Sequence, residues 1–221
     1  MTVVIACETI KDELTAALNL VGLAYEVRWI EPGLHNYPEK LRVRLQEQLD
    51  KVDADGCTRV LMALGNCGNS VLGLKTGDFE LIAPRVDDCI SLLIGSMKKR
   101  AEESSGGGTY FLTPGWLRGE RNIWVEYQHA VDKFGEDTAE MIMEMMLGNY
   151  KYLGMLETGC YNLEDLLPEV DNMADKLKLE RKIIPASVNY LCDLLTGPWD
   201  NERFLVFGTN SEINSFPIDY A

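Results

Sequence analysis

Apolar positions along the first hundred residues switch between two periods, one suited to strands and one to helices. Residues 2–6 form a short, unbroken and largely β-branched run, the mark of a strand buried on both faces. Residues 11–21 follow with Leu14, Ala17, Leu18 and Val21 at helical spacing, and Gly22 closes that helix. Residues 25–30 read as a second strand. Pro38 opens a helix striped along one face by Leu41, Leu45, Leu49 and Val52. Residues 59–64 and 79–83 read as a third and a short fourth strand, and residues 89–94 as a helix. Strands alternating with helices in this order predict right-handed crossovers. The expected fold class is α/β: a mostly parallel, Rossmann-like sheet with helices on both faces.

Ser104-Ser105-Gly106-Gly107-Gly108 is the clearest break in the pattern. It divides the chain into two expected lobes, residues 1–105 and a more helical 106–221. Beyond it, residues 109–112 read as a strand and residues 122–156 as a long helical region. Met141, Ile142, Met145 and Met146 recur there at helical spacing and are expected as core filler. Residues 187–195 read as a helix, Gly197-Pro198-Trp199 as a turn and residues 204–207 as a last strand.

Composition narrows the class of protein. Apolar residues make up 46% and charged residues 25%, which suits a folded globular chain rather than a disordered one. Against 21 Lys and Arg stand 35 Asp and Glu, a net charge of −14 that repels phosphate backbones and anionic lipid headgroups. Nucleic acid and membranes are therefore not expected as partners. No apolar run approaches the roughly 20 residues that span a bilayer. Met1–Cys7 lacks the basic start and apolar length of a signal sequence, so a cytoplasmic location is expected. In that reducing compartment the six cysteines are candidates for metal ligands, nucleophiles or inert core rather than for disulfides.

The segments that follow the early strands carry the chemistry. Strand one runs into Cys7-Glu8 and strand two into Pro32-Gly33-Leu34-His35-Asn36. Strand three runs into Gly65-Asn66-Cys67-Gly68-Asn69, and strand four into Asp87-Asp88-Cys89. In an open parallel sheet these segments leave from the same carboxyl edge, where such folds bind ligands. Cys7, Cys67, Cys89 and His35 are therefore expected to share a metal site, since sulfur and imidazole suit zinc or iron. Glu8, Asp87 and Asp88 are expected around it as acceptors for the His35 ring or a bound water. Trp116, in Thr113-Pro114-Gly115-Trp116, can cover a planar ligand or pack the lobes. Cys57 and Cys192 read as core or surface, Cys160 as a group that can approach the rim, and His129 as structural. The Gly-rich turn around Cys67 has no Walker lysine and no Gly-x-Gly-x-x-Gly, so nucleotide binding is not expected.

Five segments resemble the domain-of-unknown-function family numbered 1638: Ile5-Ala6-Cys7, Leu34-His35-Asn36-Tyr37-Pro38, Gly65-Asn66-Cys67-Gly68-Asn69, Asp88-Cys89-Ile90 and Leu112-Thr113-Pro114-Gly115-Trp116. The resemblance covers nearly the whole chain, and the Gly-x-Cys-Gly and Asp-Cys-Ile segments are its most specific parts. It implies a setting in anaerobic bacteria and methanogenic archaea, near corrinoid-dependent methyltransferase genes, and hence one-carbon metabolism. It supplies no reaction. Members of that family often carry His before the Asp-Cys pair, where this chain has Asp87. That difference shifts weight to His35 or leaves a coordination position open. The leading expectation is a metal-binding protein of corrinoid or methyl-group metabolism, with a small-molecule ligand or a corrinoid protein as partner. A metal-free enzyme with a nucleophilic cysteine is the second. The third is a non-catalytic corrinoid-binding or methyltransferase-partner module that uses the Met-rich helix and Trp116 as its platform.

Overall fold

The computed structural model of the protein describes residues 1–120 and 122–218. Its first sheet is centred on β1 (Thr2–Cys7), which pairs in parallel with β2 (Glu26–Ile30) on one side and β3 (Arg59–Ala63) on the other. β4 (Glu80–Pro84) continues the parallel pairing beside β3. β8 (Phe204–Phe207) closes that edge antiparallel to β4, giving the order β2-β1-β3-β4-β8. The unbroken apolar run of β1 is explained by its two buried faces. Val3 and Ile5 pack with Leu41, Leu45 and Leu49 of α2 (Pro38–Ala54), whereas Val4 and Ala6 pack with Leu14 and Ala17 of α1 (Lys11–Val21). The fold class read from the sequence is the one observed.

α3 (Cys89–Ile94) and α4 (Met97–Glu103) lead from the first sheet to a second, parallel sheet. It is built from β5 (Gly108–Leu112), β6 (Tyr150–Glu157) and β7 (Glu180–Pro185), in that order. The long helix expected over residues 122–156 is instead α6 (Ile123–Phe134), α7 (Glu136–Met146) and then β6. Gly135, with φ of 82°, separates the two helices. The β6 segment contains good helix formers, Leu, Met and Glu, but pairing on both sides with β5 and β7 overrides that local preference. The methionines also differ from expectation: Met141, Met145 and Met146 are 64%, 77% and 54% exposed, and Met143 takes the buried position. α8 (Leu167–Leu177) connects β6 to β7 and packs on the outer face of this sheet with α6 and α7.

The Gly-rich break does lie just before the second sheet, yet the last part of the chain returns to the first. α9 (Asn189–Thr196) packs in the same cluster as α1, and β8 seals the β4 edge. Leu156 and Ile184 of the second sheet share that cluster with Val4 and Leu61 of the first, so the two sheets have a common core. Polar contacts pin the same seam. The Thr113 hydroxyl donates to the Thr9 carbonyl at 3.0 Å, and Arg118 pairs with Asp12 at 2.6 Å. A Cβ at Gly115 would stand 2.2 Å from the Thr9 oxygen, so only glycine allows α5 (Pro114–Leu117) to approach this closely. No helix among the described residues is long and apolar enough to cross a membrane.

Glu13 of α1 is buried in this seam with 0% exposure, and neither carboxyl oxygen has a hydrogen-bond partner. Burial pushes its pKa up from 4.5 to about 7, with the neighbouring Asp12 charge adding to the rise and the Arg118 charge opposing it. The folded chain thus keeps a proton that the unfolded chain releases above pH 4.5. Its contribution to stability is complete below that pH, is lost as pH rises towards 7, and is gone above. A shift of this size corresponds to at most about 3 kcal/mol. Glu13→Gln is therefore expected to flatten the fall in stability between pH 5 and 8 and to stabilise the protein at pH 8. Urea denaturation of both proteins at the two pH values measures this, and parallel curves would disprove it.

Candidate functional site

The strand order reverses between β1 and β3, because β2 lies on one side of β1 and β3 and β4 on the other. In sheets of this kind the crevice outside the carboxyl ends at the reversal is where ligands bind. Cys7 is the last residue of β1 and therefore sits at that crevice. Its sulfur is 2.9 Å from the Thr9 hydroxyl. Cys67 stands in the loop after β3, where Cys67, Gly68 and Asn69 all adopt positive φ, at 43°, 68° and 66°. This left-handed run curls the loop over the strand ends. Cys89 opens α3, whose Asp88 cap accepts from the Ser91 N–H at 2.8 Å.

The loop after β3 and the loop after β4 are laced together by their backbones. Asn66 N–H donates to the Val86 carbonyl at 3.0 Å and Cys67 N–H to the Asp87 carbonyl at 2.6 Å. Gly65 makes the contact possible, since a Cβ there would lie 2.5 Å from the backbone of Asp88. The outcome is that three thiols, Cys7, Cys67 and Cys89, are brought to the wall of one cavity. The Cys7 thiol is held well above the usual range by the neighbouring Cys89 thiol and then by burial. Cys89 is raised likewise, first by Cys67 and then by burial, with Cys7 and the Gly65 backbone opposing. Among the described residues, no group of three or more His, Cys, Asp and Glu side chains is already spaced to hold a metal ion.

These thiols line a cavity of about 600 Å³ between the first-sheet loops and the start of the second sheet. His35 lines it too, but its ring lies against Trp116, with centroids 4.9 Å apart, and among the described residues no hydrogen bond joins it to a thiol. Burial lowers the His35 pKa, against the pull of the Asp88 charge, so the ring is neutral at pH 7. Asp88 is also ion-paired with Arg100 at 2.8 Å. Burial raises the pKa of Asp87, which likewise lines the cavity. Glu8 is not brought in: it pairs with Lys11 at 3.2 Å and faces a neighbouring cleft of about 950 Å³. Cys57 is core, Cys192 is on α9, Cys160 bonds weakly to the Thr158 carbonyl, and His129 is exposed on α6.

The family model described as a protein of unknown function (DUF1638) matches residues 29–195. The chain belongs to this family. No curated protein and no solved structure matches it. The matched span takes in Cys67, Cys89, His35 and Trp116, and Cys7 precedes it.

Sequence reading missed the wall opposite the thiols, formed by Tyr110, Phe111, Ile123, Glu126, Met146 and Tyr150. Of these only Tyr150 fell on a misread element, the strand β6 read as helix; the others lay in segments whose type was read correctly, and an aromatic or apolar residue there carries no signal of its own. The Gly65 contact makes a direct prediction. Gly65→Ala must separate the two loops, at a cost of about 1–3 kcal/mol as for other overpacked sites. A lowered melting temperature and faster alkylation of Cys89, followed by mass spectrometry, are the expected results. Unchanged melting and labelling would show that the contact is slack.

Proposed function

We propose that this is a cytoplasmic, thiolate-metal protein of anaerobic one-carbon metabolism. Cys7, Cys67 and Cys89 would hold zinc or iron beneath a small-molecule cavity, with His35 at its side. The observation that supports this most is the convergence of the Cys7, Cys67 and Cys89 thiols on one cavity at the reversal point of a parallel sheet. The donor set fits a thiophilic cation in chemistry. Among the described residues no three such groups are spaced to hold an ion, so binding requires the thiols to lose their protons and the loops that carry them to draw together. Such an ion, when bound, supplies Lewis acidity and keeps its ligands deprotonated at neutral pH. The chain's own groups do the rest. Thr9 orients the Cys7 sulfur, the Gly65 backbone and the Asp88 cap fix Cys89, and Trp116 and Tyr110 keep water off one side. That all six cysteines are free suits a reducing compartment.

A metal-free nucleophilic cysteine is the weaker reading, because a nucleophile needs a lowered pKa and both Cys7 and Cys89 are raised. A cavity of about 600 Å³ suits a small ligand and is smaller than a whole corrinoid. A corrinoid therefore enters this proposal on a partner protein presented at the cavity mouth, where Met146 and Tyr150 are exposed. Elemental analysis of anaerobically purified protein tests the metal. Stoichiometric zinc or iron is expected, lost in Cys89→Ser and kept in Cys192→Ser. Absence of both metals, or metal content unchanged after Cys7, Cys67 and Cys89 are all changed to Ser, would refute the proposal.

A further inference from the structure

The wall across from the thiols is a continuous run of aromatic rings. Trp116 and Tyr110 have centroids 6.3 Å apart, and Tyr110 and Tyr150 are 5.8 Å apart, edge to face. Hydrogen bonds hold the Trp116 backbone and the Tyr110 hydroxyl in this wall. The Trp116 backbone is tied by its N–H to the Thr113 hydroxyl at 3.1 Å and by its carbonyl to the Asn122 side chain at 3.1 Å, while the indole N–H is buried without a partner. The Tyr110 hydroxyl accepts from the Ile123 N–H at 3.3 Å. Aromatic side chains lining a cavity on a backbone held this way offer ring surface to a ligand at little cost in ordering.

The charge of the cavity points the same way. Among the described residues four carboxylates line it, Glu31, Asp87, Asp88 and Glu126, against one guanidinium, Arg100. Arg100 is already committed: it pairs with Asp88 and lies over the Phe111 ring, 5.3 Å from its centroid. An anionic ligand would thus meet no free cation among these groups, and it would enter against the field of a chain with a net charge of −14. Glu31 is paired with Arg44 at 2.8 Å and Asp88 with Arg100, so a neutral ligand would leave Asp87 and Glu126 unused. A cation with apolar substituents satisfies both features, since its charge is drawn to the ring faces and the carboxylates while its alkyl groups fill the aromatic pocket.

From this we infer that the cavity selects a small organic cation, of the quaternary ammonium or sulfonium type, held between the Trp116–Tyr110–Tyr150 wall and the carboxylates of Asp87 and Glu126. The inference rests on the reading of this cavity as the functional site, and it names the class of ligand that site takes. Calorimetric titration of the anaerobic protein with choline, and with its uncharged carbon isostere dimethylbutanol, tests it. Choline is expected to bind at least tenfold more tightly than dimethylbutanol, and acetate not to bind. Trp116→Leu and Tyr110→Leu should each weaken choline binding at least tenfold. Glu126→Gln, on the exposed side of α6, should weaken it severalfold with the fold intact. Equal binding of the isostere, or choline affinity unchanged in all three variants, would overturn the inference. Metal content measured on the same samples separates the two readings. Choline selectivity in metal-free protein supports this inference and removes only the metal, and bound metal without selectivity does the reverse.

Discussion

Parallel pairing of β1 with β3, and of β3 with β4, is the constraint from which the site follows. Strands that run the same way must end at the same edge, so Cys7 and the loops bearing Cys67 and Cys89 are delivered there. Backbone hydrogen bonds alone do not bring sulfurs together. The final approach depends on two loops lying backbone to backbone, which the missing side chain of Gly65 permits. The thiol cluster is thus a product of topology at long range and of one absent methyl group at short range.

A second constraint acts across the seam. Thr9, two residues after Cys7, is the acceptor for Thr113, and Thr113 caps the short helix that presents Trp116. One side of the cavity is therefore tethered directly to the segment that carries the first thiol. Glu13 lies in the same seam without a partner, a costly arrangement for a carboxyl that is easily met by keeping its proton. The seam is rigid where hydrogen bonds cross it and sensitive where this carboxyl is buried.

Much of the first sheet was legible because its strands are buried on both faces, and unbroken apolar runs are their direct mark. The convergence of Cys7, Cys67 and Cys89 followed from the strand order without any local motif. The second sheet was legible only at β5. β6 reads Tyr-Lys-Tyr-Leu-Gly-Met-Leu-Glu and β7 begins Glu-Arg-Lys, compositions that do not favour strands until neighbours on each side supply the pairing. The aromatic wall was hidden for the same reason, since Tyr150 belongs to the strand that was taken for helix. Glu8 marks a different limit. Being next to a strand-end residue says nothing about direction, and its side chain turns to Lys11 and the adjacent cleft.

The return of the chain to β4 has a consequence for biosynthesis. β8 is the last strand of the described chain, and more than a hundred residues, including the whole second sheet, separate it from the strand it covers. While the polypeptide emerges from the ribosome, the β4 rim stays uncovered until those intervening residues and β8 have been made. An open apolar rim of this sort is a template for stray pairing with other chains. Loss of the β8 pairing would thus harm solubility more than the strand's four residues suggest, although it leaves every thiol in place.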